Sequence, residues 1–390
     1  MPSFLLRHVQ IVDPGHSITA GDVLVRDGRI AAVGGGAAAG AREAIVIDGG
    51  GRQLTPGLID VHTHGIGEHF YGAGPDALRR AARELGRFGV TTVFPTIVPQ
   101  IKDGWLEELR TLAAALPRIR EVNMPGLHVE GPFMAIGGAA CPTLPGDLGL
   151  LEGILGACGD QLAIMSVSPD QANIIPVIRR LREKGIVTFV THTRASVEQA
   201  EAALDAGATH ATHFYDVFPS PAETEPGARP VGIVEVMLGD PRATVDFIAD
   251  GVHVHPAAIR AAVAAKTFRG VVLITDSNIG AGSPPGIYDT PWGYQVRVSE
   301  ADAARHATKN FLAGSALTMN RGIANLLRWL KLPPEQVWAM GTLNPARLVG
   351  LERKGRLQPG ADADLVLWNE DLAPAQTWVA GECVYEKSKV

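Results

Sequence analysis

The sequence predicts an α/β fold, a (β/α)8 TIM-like barrel with a small β-sandwich domain formed by both termini. Three observations carry the prediction: eight strand-like runs between residues 57 and 277, helix-like stretches between several of them, and short strand-like segments of similar texture at the two ends of the chain. Eight strands with intervening helices over that span match a barrel, whose usual length is roughly 250 residues, better than a doubly wound sheet. At 390 residues the chain exceeds one comfortable core, which also argues for a large domain with a smaller partner.

Taken in order, the chain opens with FLLRHVQIV, DVLVRDGRIAAVG and EAIVIDG, short runs bounded by glycine or aspartate that read as strands. The expected barrel strands follow at residues 57–65, 90–98, 124–132, 162–169, 186–193, 208–215, 243–251 and 270–277. PDALRRAARELGRFG, NIIPVIRRLREKG and SVEQAEAALDAG lie between strands and read as helices, the last with serine at its N-cap and glycine after its end. Residues 279–312, rich in glycine and proline, read as an irregular or hairpin insertion. LTMNRGIANLLRWLKL and PEQVWAMGTLNPARLVG read as two helices, and GRLQPGADADLVLWN and TWVAGECVYE return to strands. The expected division is residues 1–54 plus 353–390 for the small β-domain and 55–352 for the barrel.

Composition is ordinary, with 46% hydrophobic and 19% charged residues and a formal net charge of -6. Both signs are scattered, which argues against a nucleic-acid or anionic-membrane surface and for a small-molecule substrate. Cys141, Cys158 and Cys383 form no CxxC pair, as expected in a reducing cytoplasm. The opening residues hold too short an apolar run for a signal peptide, and no run of about 18 apolar residues occurs, so neither export nor a membrane span is expected.

Reacting groups of such barrels sit at the C-terminal ends of the strands. There the sequence sets His62 and His64, Glu130, His192, His213 and Asp276. Residues two apart in a strand share a face, so His62 and His64 can point together into the mouth, as can His128 and Glu130. Four imidazoles and two carboxylates suit zinc, with iron or manganese as alternatives. Each residue alone has a plainer reading: a hydrogen-bonded structural histidine, a solvated glutamate, an aspartate capping the next segment. Their joint placement favours a metal site.

At these residues the chain resembles the amidohydrolase superfamily, specifically its N-acetylglucosamine-6-phosphate deacetylase branch. The matching pieces include LTPGLIDVHTHG, GVTTVFPTIV, GLHVEGPF, GATHATHFYD, ADGVHV, ITDS, GSALTMNRGIANL and GRLQPGADADLVLWN. The resemblance implies a metal-dependent hydrolase of a carbon-nitrogen bond with one or two divalent ions per chain. Glu130, His192 and His213 would hold one; His62 and His64, sharing Glu130, would hold a second. Asp276 would take a proton from the attacking water and return it to the leaving nitrogen, and His253 would contact substrate, although its neighbour His255 competes for that place on residue type alone. Relatives often form dimers, so a homodimer is the implied assembly.

The chain departs from the branch where phosphate would bind. A K-G-[AST]-H run is replaced within EGPFMAIGGAACPT, with Ala140 and Cys141 near the lost histidine; Asp216 stands where THLFNAM or THLYNAM has asparagine; Thr224, not arginine, precedes Glu225-Pro226-Gly227. Losing a guanidinium and gaining a carboxylate both disfavour a dianion. The expectation is a non-phosphorylated N-acyl substrate, with Asp216, Tyr215, Arg194 and Cys141 joining His253 as substrate-binding candidates. Arg194 could instead neutralise Asp216 or Glu130, and Cys141 could be a buried small hydrophobe. The rivals are a deaminase or a cyclic amide or lactone hydrolase on the same scaffold, and a non-catalytic binding protein.

Overall fold

Gly57 is the junction between two sheets. Before it, Gln53–Pro56 belongs to a sheet built from the chain's ends; after it, Leu58–Thr63 is the first strand of the barrel. The computed structural model describes residues 3–138, 141–299 and 303–387. Ala140, read as standing near the lost histidine, lies outside the described residues.

The barrel is an eight-stranded parallel sheet in sequence order: Leu58–Thr63, Val90–Ile97, Leu127–Glu130, Leu162–Val167, Val187–Val190, Ala208–Ala211, Thr244–Ile248 and Val271–Ile274. The strands are almost wholly buried, as a parallel sheet covered by helices requires, and so read as near-continuous apolar runs. The first and eighth strands are joined past their ends, where Asp276 N–H donates to the His62 carbonyl at 2.9 Å and His64 N–H to that of Ser277 at 2.8 Å. Val197–Ala206 has the expected N-cap, a reciprocal box between Ser196 and Gln199. The stretch 334–350 differs from expectation: it breaks at Thr342 into Pro334–Gly341 and Leu343–Leu348.

The termini do pair. Leu365–Trp368 lies antiparallel to Gln53–Pro56, and the eight-stranded sheet continues through Pro374–Val379 and Glu382–Glu386 on one side and the N-terminal strands on the other. Phe4 stacks on Trp378 with ring centroids 5.6 Å apart, although two strands separate theirs in the hydrogen-bonded order. The sheet therefore folds over on itself and encloses its own core of Leu6, Val25, Leu54, Leu365 and Trp378. The insertion is a four-stranded antiparallel sheet, Gly286–Asp289, Gln295–Val298, Ala303–His306 and Leu312–Ser315, placed over the barrel mouth. No helix of the described residues is long and apolar enough to cross a membrane.

Candidate metal centre and active site

The carboxylate of Glu130, on the last residue of the third barrel strand, is the hub. Its Oε1 faces His192 Nε2 at 3.4 Å and His213 Nε2 at 3.3 Å. Its Oε2 faces His64 Nε2 at 3.4 Å and His62 Nε2 at 3.8 Å. Asp276 Oδ1 closes the second side, 3.2 Å from His64 Nε2 and 3.4 Å from His62 Nε2. One carboxylate thus divides its two oxygens between two histidine pairs.

The backbone turns sharply to achieve this. His192, His213 and Asp276 each lie two residues past a strand end and have φ of 48°, 37° and 46°. Non-glycine residues in that left-handed region carry strain that is held by their surroundings, a feature concentrated at functional sites. For His213 the surroundings include the buried Asp246 carboxylate, which accepts its backbone N–H. Asp246 also pairs with His210 at 2.8 Å.

Outer partners fix the rings. His64 Nδ1 donates to the Thr96 carbonyl at 3.2 Å and His213 Nδ1 to that of Asp216 at 3.3 Å, which turns each Nε2 toward Glu130; His213 Nε2 also lies 3.0 Å from the Thr191 hydroxyl. His128, by contrast, donates from Nδ1 to the Val61 carbonyl at 2.8 Å and bonds Ser166 through Nε2 at 2.7 Å. Both its nitrogens are occupied, so it shares Glu130's strand but is no ligand.

Electrostatics favour a cation. Burial alone would raise the Glu130 carboxyl, but the imidazoles of His62, His192, His213 and His64 hold it well below the usual carboxylate range. Burial opposes protonation of His213, yet Glu130 above all, with Asp276 and Asp216, pushes it up to about 10. The carboxylates are drawing positive charge into a buried site, and His62 Nε2 has no hydrogen-bond partner among the described residues. A divalent ion fits this donor set. His62, Glu130 and His213 form one group, and His62, His64 and Asp276 another, whose ligand atoms lie within 4.8 Å of one another.

The cluster opens into a cavity of about 240 Å³ whose lining includes Asp216, His253, Asn278, Trp292, Tyr294 and Phe311. His253 is held by Asp250 Oδ2 at 2.6 Å, while His255 accepts from Ala257 N–H and caps the helix Pro256–Lys266. The fold thus separates two histidines that residue type could not. Three substrate-contact expectations place differently. Tyr215 faces a neighbouring cavity and packs on Phe214 and Phe247. Arg194 is exposed, its backbone N–H donating to Asp170 at 3.0 Å, and among the described residues it pairs with neither Asp216 nor Glu130. Cys141 is buried behind Glu130, donating to that residue's carbonyl at 3.5 Å, with burial pushing its thiol up. Thr224 is exposed and does not line the cavity, so it says less about phosphate than Asp216 does. Asp60, Asp246 and Asp250 were not singled out in the sequence, although Asp60 stands two residues before His62 and so shares its face.

A family model described as the amidohydrolase family matches residues 53–384. The N-acetylglucosamine-6-phosphate deacetylase of Vibrio furnissii is 33% identical, covering 89% of this chain and 86% of its own. That of Lysinibacillus sphaericus is 29% identical, covering 97% of each. A variant of the Mycobacterium smegmatis N-acetyl-D-glucosamine-6-phosphate deacetylase, solved with N-acetyl-D-glucosamine-6-phosphate, superposes with a TM-score of 0.86 at 28% identity over 98% of this chain and 100% of that one. The chain belongs to the amidohydrolase family and is similar, within it, to the N-acetylglucosamine-6-phosphate deacetylases.

Proposed function

We propose that the chain is a metal-dependent hydrolase that cleaves the amide bond of a small, non-phosphorylated N-acyl compound. The charge of the cavity carries the substrate half of this reading. Glu130, Asp216 and Asp276 line it, and among the described residues no lysine or arginine does. A phosphate dianion would meet carboxylates without a permanently charged partner, and like charge rejects a ligand more forcefully than a missing contact. A hydroxyl or an ammonium group suits Asp216 better.

In this reading Glu130, His192 and His213 hold one divalent ion, and His62 and His64 with Glu130 hold a second; zinc is the first choice, iron or manganese the alternatives. When bound, such an ion would lower the pKa of water to about 7 and polarise the scissile carbonyl. Asp276 accepts the proton of the attacking water and passes it to the leaving nitrogen, a transfer that needs one carboxylate within reach of both. His253, its Nδ1 tied to Asp250, presents its other nitrogen to the substrate. Three free cysteines, two of them buried, fit a reducing cytoplasm. The implied homodimer is checked by light scattering.

The test is a kinetic screen of N-acetylglucosamine with and without its 6-phosphate, beside other N-acetyl, N-formyl, cyclic amide and lactone compounds, with acid and ammonia release recorded. A higher kcat/KM for non-phosphorylated N-acyl compounds, with carboxylic acid released, is expected. If the 6-phosphate is the best substrate the argument from Asp216 fails, and if ammonia is the product the reaction class is wrong.

A further inference from the structure

Beside the metal cavity lies a second one, of about 280 Å³, that the chemistry described so far does not use. Phe70, Ile97, Trp105, Leu109 and Leu112 form its apolar wall, and Trp292 lines both cavities. Ile97, Leu109 and Leu112 are buried, Phe70 and Trp105 half-buried. Phe70 meets Trp292 edge to face at 5.0 Å, and Trp292 stacks on Tyr294 at 5.9 Å, so the insertion and the loop after the first strand build one aromatic partition. The charged residues of this cavity, Lys102 and Glu108, pair with each other at 2.9 Å on the exposed side and leave the interior without net charge. An apolar space of roughly 150 Å³ is enough to hold benzene.

We infer that this cavity is a substrate subsite for an apolar substituent, an aryl or alkyl group reached past Trp292 from the scissile bond. The inference rests on the proposed N-acyl reading and adds to it the class of compound: an N-acyl molecule with a hydrophobic arm. Binding the arm there removes it from water against aromatic side chains, while the polar amide stays at the metal cluster. The arm can belong to the acyl half or to the amine half.

Matched substrate pairs test this: N-acetyl against N-phenylacetyl on one amine, and N-acetyl on an amine with and without a phenyl group. At least one pair is expected to favour the apolar member by tenfold or more in kcat/KM, mainly through KM, and the pair that does so identifies the half carrying the arm. Leu109→Trp, which fills the cavity, should cut that preference at least fivefold. Trp105→Ala, at a half-buried site, should shift it toward bulkier arms. Circular dichroism confirms that each variant folds. A preference below twofold in both pairs, or one that neither variant changes, overturns the subsite. The ratios are read within each matched pair, both members phosphorylated or neither, so a best substrate bearing phosphate defeats the functional reading separately from this one.

Discussion

Asp276 and His213 sit in one cluster, yet their losses should differ. His213 Nε2 faces Oε1 of Glu130, so His213→Ala should lower the bound metal per chain, measured by elemental analysis, along with activity. Asp276→Asn should keep at least one ion while kcat falls by about 10²–10⁴, the usual worth of a positioned acid-base group. Loss of all metal from the Asp276→Asn protein would make Asp276 a ligand first. Asp216→Asn removes a carboxylate from the cavity and should raise kcat/KM for phosphorylated relative to non-phosphorylated amino sugars by about tenfold, a modest fraction of what charge matching can supply. At this scale the convergence of His62, His64, Glu130, His192, His213 and Asp276 was legible, because histidines and carboxylates at the ends of several barrel strands meet at one mouth. Tyr215 was not. Two residues past His213 it should share a face with it, but φ of 37° and 75° at the two positions ends the alternation and turns Asp216 inward instead.

The strands themselves were readable because buried parallel strands are continuous apolar runs; the expected ends of the fifth, sixth and eighth ran too far because His192, His213 and Asp276 leave the sheet through left-handed turns that no local pattern announces. The pairing of the insertion's four strands was not readable, since its short glycine- and proline-rich pieces meet only through their partners. Gly57 is a sharper case of an element fixed by its neighbour. A Cβ there would stand 2.0 Å from Thr91 Oγ1 and 2.2 Å from its Cγ2, and Thr91 is buried on the second barrel strand. Gly57→Ala should therefore cost about 1–3 kcal/mol, the usual range for overpacking, seen as a lower urea midpoint. An unchanged midpoint would mean that the junction between the two sheets yields more easily than its packing suggests.

For the molecule as a whole, a metal held by the buried carboxylates and imidazoles at the barrel mouth would add to stability as well as to catalysis. A ligand present at about a hundred times its Kd and bound only by the folded state adds about 2.7 kcal/mol. Dialysis against a chelator should accordingly lower Tm by about 3 °C, and zinc should restore it. A Tm indifferent to chelation would remove the metal from the folded cluster. The barrel could be counted from the sequence, and the pairing of the two ends could be guessed only from texture. That pairing has a consequence in time. Leu54, Thr55 and Pro56 find their partners in Leu367, Val366 and Leu365, more than three hundred positions later. During synthesis Gln53–Pro56 emerges long before its partner strand, so this edge of the sheet stays uncovered until the late strand arrives.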